Sequence, residues 1–163
     1  MSGDLTTKSQ YLIFTVAEHP CAVLLSEVRE VVLMAELSQS LVQADTIEGI
    51  LNLGGEAIPV LKLNRILGLK DWSLGLYSHI IVAKSQDRSL GFLTQSAYKI
   101  ASFASDDLTL FPTGSTWNGC VSALIREGKE FINILSFAQI TARFHENIML
   151  HHSLAHPLTK EAV

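Results

Sequence analysis

The apolar residues of this chain never run long. The two longest unbroken stretches, residues 21–25 and 31–35, hold five residues each. Runs of that length, bounded by turn formers, suit strands, whereas a membrane-crossing helix needs about 20 apolar residues. The pattern predicts a mainly β chain with no direct membrane insertion. At 163 residues, 48% hydrophobic and 17% charged, the chain lies outside the composition of disordered segments. It is long enough for one domain, or for two small halves that share a core. Apolar content this high must go into a core or into surfaces that partners cover.

The strands can be placed from periodicity and turn residues. Residues 9–16 and 21–25 read as a hairpin across a turn at 17–20. Ser26 is placed to cap a helical turn over 26–29, and 30–34 is a strand followed by a polar loop over 36–46. Residues 47–53 and 57–63 flank Gly54-Gly55, a hairpin turn because both positions tolerate positive φ. Pro59 puts its strand at an edge or a bulge. Asn64 is expected to cap a short helix over 65–67 that Gly68 ends, and 70–75 reads as a linker. Residues 78–85 and 90–95 pair across 86–88, 99–104 is a further strand, and 105–116 is loop. Residues 121–126 and 130–135 pair across 127–129. Beyond Ser136, read as a cap, Phe137, Ile140, Phe144 and Ile148 recur at helical spacing, and Pro157 ends anything helical.

A weak internal repeat appears at an offset of 72: Leu53, Val60, Leu63 and Asn64 fall on Ile125, Ile132, Leu135 and Ser136. The expected organisation is two similar, intertwined barrel subdomains, roughly 9–70 and 76–144, sharing apolar surface. Residues 1–8 form a flexible tail, and residues 145–163 a helix end and tail.

Twelve Lys and Arg face 16 Asp and Glu, a net charge of −4. Basic residues come no closer to clustering than Lys62 with Arg65 and Arg126 with Lys129, so nucleic acid is not an expected partner. The polar start lacks the apolar stretch of a secretory signal. Cys21 and Cys120 lie in apolar text and read as reduced, buried thiols, so a cytoplasmic protein is expected. No nucleophile elbow, phosphate loop or dinucleotide fingerprint is present. Asp106-Asp107 reads as a solvated turn or helix start. Glu27 and Glu30 read as surface glutamates rather than an acid–base pair. His145, His151, His152 and His156 read as solvated tail residues, because Pro157 interrupts the i, i+4 pair and no third ligand stands near. No catalytic residue, metal site or cofactor is expected.

Three segments carry a resemblance: 11–16 (YLIFTV), 23–31 (VLLSEVREV) and 50–64 (ILNLGGEAIPVLKLN). Together they resemble the CheW-like chemotaxis coupling family, whose pattern runs through F…V…EV, then N-L-R-G…P-V-x-x-L. The resemblance spans residues 9–144 and is strongest in the first half. It implies two five-stranded SH3-like barrels around a shared core, with a C-terminal helix. It also implies a non-catalytic adaptor between the cytoplasmic tips of chemoreceptors and a CheA-type histidine kinase. By this resemblance Ile50, Asn52, Leu53, Gly54 and Gly55 match the receptor-facing hairpin, and Leu25, Val28 and Glu30 match the kinase contact. Leu25, Val28, Ile50 and Leu53 are equally at home in the core of any β-barrel.

The chain departs from the family pattern at three places. Gly54 stands where the family has Arg, Lys62 where it has Asp, and Thr94-Gln95 where it has Val-Asp. Glycine can neither pair with acidic groups nor donate as a guanidinium does. An alternative function is therefore a barrel repurposed to bind a small ligand between its halves, as a sensor or regulator without kinase coupling.

Overall fold

The computed structural model describes residues 7–39, 45–75, 77–85, 88–110 and 117–144. Ile148, Pro157, the four C-terminal histidines, most of the N-terminal tail and part of the 86–88 turn lie outside these residues.

Strands β1 (Lys8–Val16) and β2 (His19–Leu24) form the first hairpin, and a 3-10 turn, Leu25–Glu27, leads into β3 (Val28–Leu33). Strands β4 (Ile47–Leu53) and β5 (Glu56–Lys62) form a second hairpin, followed by helix α1 (Leu63–Leu67). Then come β6 (His79–Ala83), β7 (Gly91–Thr94), β8 (Ser96–Ala104), β9 (Leu108–Leu110), β10 (Val121–Glu127) and β11 (Glu130–Leu135). Helix α2 covers 137–144, and the Ser136 hydroxyl accepts the Gln139 N–H at 3.3 Å as its cap.

The strands make two mixed sheets, ordered β8-β1-β2-β11-β10-β9 and β3-β6-β7-β5-β4. The sixth strand of the first sheet, β9, comes from a segment expected to be loop. Three residues, Leu108–Leu110, are too short a run to read as a strand from sequence alone. Three other local expectations fail. Pro59 lies neither at an edge nor at a bulge: β5 is interior between β7 and β4, the bulge is at Ile47–Gly49, and the missing N–H is tolerated because the β5–β7 ladder begins only at Val60. Ser26 makes no side-chain cap to the 3-10 turn. Asn64 does not cap α1; it sits buried inside it, donating to the Lys70 carbonyl and to Asp71 at 3.2 and 3.0 Å. Gly68 does end α1, in the left-handed conformation at φ 75.

Neither sheet is built from one half of the chain alone. The five-stranded sheet takes β3 to β7, and the six-stranded sheet takes both ends, β1-β2 and β8 to β11. Each half therefore lends a hairpin to the other: β2 runs parallel to β11, and β7 runs parallel to β5. The ladders show that the halves are true repeats. β4 pairs with β5, and β10 with β11, in the same register, with Ile47↔Leu61 matching Val121↔Leu135 and a bulge beside each. The offset is 74 rather than 72, taking Gly54 onto Gly128. Through the earlier strands it is 69: Ile13, Ala22 and Glu30 correspond to Val82, Gly91 and Lys99. Even the bulges coincide, since the extra residue of β3 is Arg29 and that of β8 is Tyr98.

The five-stranded sheet closes on itself after β3, where Ser38 and Ile50 exchange backbone bonds of 2.9 and 2.8 Å. One apolar cluster, including Val32 and Leu93, fills it; another, around Tyr11 and Ile13, lines the six-stranded sheet. A third and larger cluster, with Phe14, Leu61, Ile81, Phe92 and Phe137, fills the seam between the sheets.

Candidate functional site

The segment expected to face a kinase spans the corner between the sheets. Leu25, half-buried, leans on the shared core, and Val28 is buried within it. Glu30 is exposed on β3. The segment expected to face a receptor is the β4–β5 hairpin. Ile50 is half-buried and its backbone is taken by Ser38; Leu53 is half-buried against the core of its own sheet. Asn52 is exposed, but its Oδ1 accepts the Gly55 N–H at 2.9 Å and so braces the turn. Gly54 and Gly55 form the exposed tip with φ of 60 and 91, a pair of positive values that L side chains adopt only at a cost.

The structure joins these two segments through residues that sequence reasoning did not single out. Arg29, between Val28 and Glu30, donates to the Glu56 carboxylate at 2.7 Å and to the Ser89 hydroxyl at 3.1 Å. Glu56 directly follows the Gly54-Gly55 tip. The Arg29 hydrogen bond holds the Glu56 carboxyl below the usual carboxylate range, and the same bond raises the Arg29 guanidinium. Both side chains are well exposed, at 39% and 44%, so the pair orients the hairpin more than it stabilises the fold. A similar strut exists in the other half: Lys99 of β8 reaches Glu127 of β10 at 2.7 Å. Behind the corner, burial pushes the Glu27 carboxyl up, and burial, with Glu27 nearby, pushes the Tyr11 phenol up.

Two strand rims carry the exposed apolar surface nearby. Val31 and Leu33 on β3 are 37% and 61% exposed, and Tyr98 and Ile100 on β8 are 54% and 55% exposed. Among the described residues β3 pairs with β6 alone and β8 with β1 alone, so both end their sheets there. Val31 lies opposite Ile81, and Ile100 lies opposite Leu12, both members of the seam core. Directly opposed side chains share a face, so these residues continue the seam core outward to its rim. In sequence they read like core residues, because the alternation that marks these strands does not say whether a second strand pairs with them.

A family model for the CheW-like domain matches residues 10–144. The chain belongs to the CheW-like domain family. Among solved structures, the scaffolding protein TtCheW from Thermoanaerobacter tengcongensis shares the fold at a TM-score of 0.73 and 20% identity. The match covers 83% of this chain and 89% of that one. A search of curated proteins finds no match.

Within this CheW-like domain, Asp107 and both cysteines have structural work. Asp107 accepts the Ala104 N–H at 2.9 Å and so closes the turn between β8 and β9. Cys21 and Cys120 are free and buried, and burial pushes both thiols up, away from the reactive thiolate. Among the described residues no three His, Cys, Asp or Glu are grouped to hold a metal ion. Among them, too, no helix is long and apolar enough to cross a membrane. The seam is packed with side chains: Phe92 stacks on Phe137 at 4.6 Å, and Phe14, Leu63 and Ile81 beside them are fully buried.

Proposed function

We propose that this CheW-like domain is a non-catalytic, cytoplasmic adaptor of chemotaxis-type signalling. It holds a CheA-type histidine kinase and the cytoplasmic tip of a chemoreceptor in fixed geometry. The family match over residues 10–144 carries the reading. The kinase contact runs from Leu25 and Val28 through Glu30. The exposed Val31 and Leu33 supply apolar surface that the buried Val28 cannot. The receptor contact is the β4–β5 hairpin, from Ile50 through Asn52 and Leu53 to Gly54 and Gly55. The Arg29–Glu56 strut keeps one segment in place relative to the other. Stable pairing of proteins buries roughly 800 Å² on each partner, and less suffices where several contacts act together in an array. The packed seam favours this adaptor over a small-ligand sensor that would bind between the halves.

Pull-down of the full chain with a cognate kinase regulatory domain and with a receptor signalling fragment tests the reading. Retention of either partner supports it, and loss of both removes it. Gly54→Arg sharpens the receptor assignment. A Cβ at Gly54 meets nothing within 4 Å, so the main cost is that of a positive φ, about 1 kcal/mol. The restored guanidinium should strengthen receptor capture. An unchanged capture by a folded variant would take the hairpin out of the receptor face.

A further inference from the structure

The chain passes from the five-stranded to the six-stranded sheet at Gln95, a one-residue corner between β7 and β8. Four hydrogen bonds fix that corner, and in one of them Gln95 Oε1 accepts the Glu18 N–H at 2.8 Å. The Thr94 hydroxyl donates to the His79 carbonyl at 3.1 Å, the Gln95 N–H donates to the Thr15 carbonyl at 2.8 Å, and the Ala97 N–H donates to His79 Nδ1 at 3.2 Å. The last is the unusual one, because a side chain of one sheet takes a backbone donor of the other. It acts immediately before the β8 bulge at Tyr98.

His79 also stands at the end of the other rim. Its ladder partner on β3 is Leu33 and on β7 is Thr94. One half-buried imidazole thus touches the start of the Tyr98–Ile100 rim and lies opposite the end of the Val31–Leu33 rim. Backbone amides are obligatory donors, and the Ala97 amide, part-buried like the ring, finds its partner in His79 Nδ1. The Ala97 amide can keep its partner only while β8 stays at this distance from β6. The ring is therefore a direct side-chain link between β8, which carries one rim, and β6, the ladder neighbour of the strand that carries the other.

We infer that His79 is a positioning residue of the docking surface: its ring holds the β8 rim (Tyr98, Ile100) at a fixed offset from the β3 rim (Val31, Leu33). This role rests on the adaptor reading, in which the β3 rim extends the kinase contact. His79 itself need not touch the partner.

The test uses three variants of the full chain. Asn carries Oδ1 the same number of bonds from Cα as His carries Nδ1, so His79→Asn keeps the acceptor. His79→Leu fills similar space without one, and His79→Gln moves the acceptor outward by one methylene. Amide exchange at Ala97 and affinity for the kinase regulatory domain are measured together. His79→Leu should speed Ala97 exchange and weaken binding roughly tenfold, while His79→Asn should keep both within about threefold of the parent chain. If His79→Leu does not fold, His79→Gln takes its place, with a smaller loss of affinity expected. If the parent binds and a folded His79→Leu binds equally well, the positioning role is overturned. Equal weakening by folded His79→Asn and His79→Leu overturns it too. If the parent chain binds neither kinase nor receptor, the adaptor reading itself falls, and the docking role falls with it.

Discussion

The β4–β5 and β10–β11 hairpins are the same object made twice. They share register, the bulge near the start of the first strand, and the helix that follows. Their inward positions match as well: Ile58 and Ile132, Val60 and Ile134, Leu61 and Leu135 are all buried pairs. Their outward faces share little. The first has a bare Gly54-Gly55 tip, braced by Asn52 and followed by Glu56. The second is charged at Arg126, Glu127, Lys129 and Glu130 and exposes Phe131. The seam and the cores preserve the repeat, while the surfaces have been free to specialise. That is why the adaptor reading assigns partners to surfaces and not to halves.

The largest expected effect tests whether the halves are one cooperative unit. Phe92→Ala empties the seam opposite Phe137 and should cost about 3–5 kcal/mol. Because each sheet is composite, denaturant unfolding should stay a single transition; two separated transitions would break the comparison at its root. The next effect concerns a place where the halves differ inside. Gly49 corresponds to Ala123, but a Cβ at Gly49 would lie 2.8 Å from the Ser38 carbonyl oxygen and from Leu37 Cβ. Gly49→Ala should therefore cost about 1–3 kcal/mol even though its counterpart is already alanine. A neutral result would show that the Ser38–Ile50 closure is loose. Ile58→Val and Ile132→Val should each cost about 1 kcal/mol. Near-equal midpoint shifts in urea would support the offset of 74, and a wide disparity would count against it. The smallest effect is electrostatic. Burial raises the Glu27 carboxyl, so its contribution is full below the ordinary carboxylate range and is lost as pH rises through the raised value. Glu27→Gln should stabilise the chain slightly at pH 7, and the gain should vanish in acid. Thermal melts across that range would show no difference in slope between the variant and the parent if Glu27 were well solvated.

Much of this was legible in sequence because turns and periods are local. Gly54-Gly55, Gly128 and Ser136 declared themselves by residue type, as did the stripe of Phe137, Ile140 and Phe144. The repeat was visible but placed two residues off. Offsets of 72 and 74 are both even, so each lays inward residues on inward residues. Only the turn glycines separate the two registers. Of the candidate site, Glu30 and the Gly54-Gly55 tip emerged exposed, while Val28 turned inward. The Arg29–Glu56 strut, the His79 bond to Ala97 and the rims at Val31, Leu33, Tyr98 and Ile100 depend on which strand ends at an edge. That is set by pairings between distant segments, which no local pattern encodes.

The exchange of hairpins also sets the order in which the chain can mature. The Asn133 side chain donates to the Pro20 carbonyl at 3.0 Å across 113 residues, and β2 finds its parallel neighbour only when β11 arrives. During synthesis the β1–β2 hairpin emerges well before β11 and stays greasy-sided until that last strand arrives. Such distant closures fold slowly and leave nascent strands open to aggregation. A chain stopped just short of β11 would therefore strand the β1–β2 hairpin, and holding chaperones would have most to do there rather than at the strands that follow.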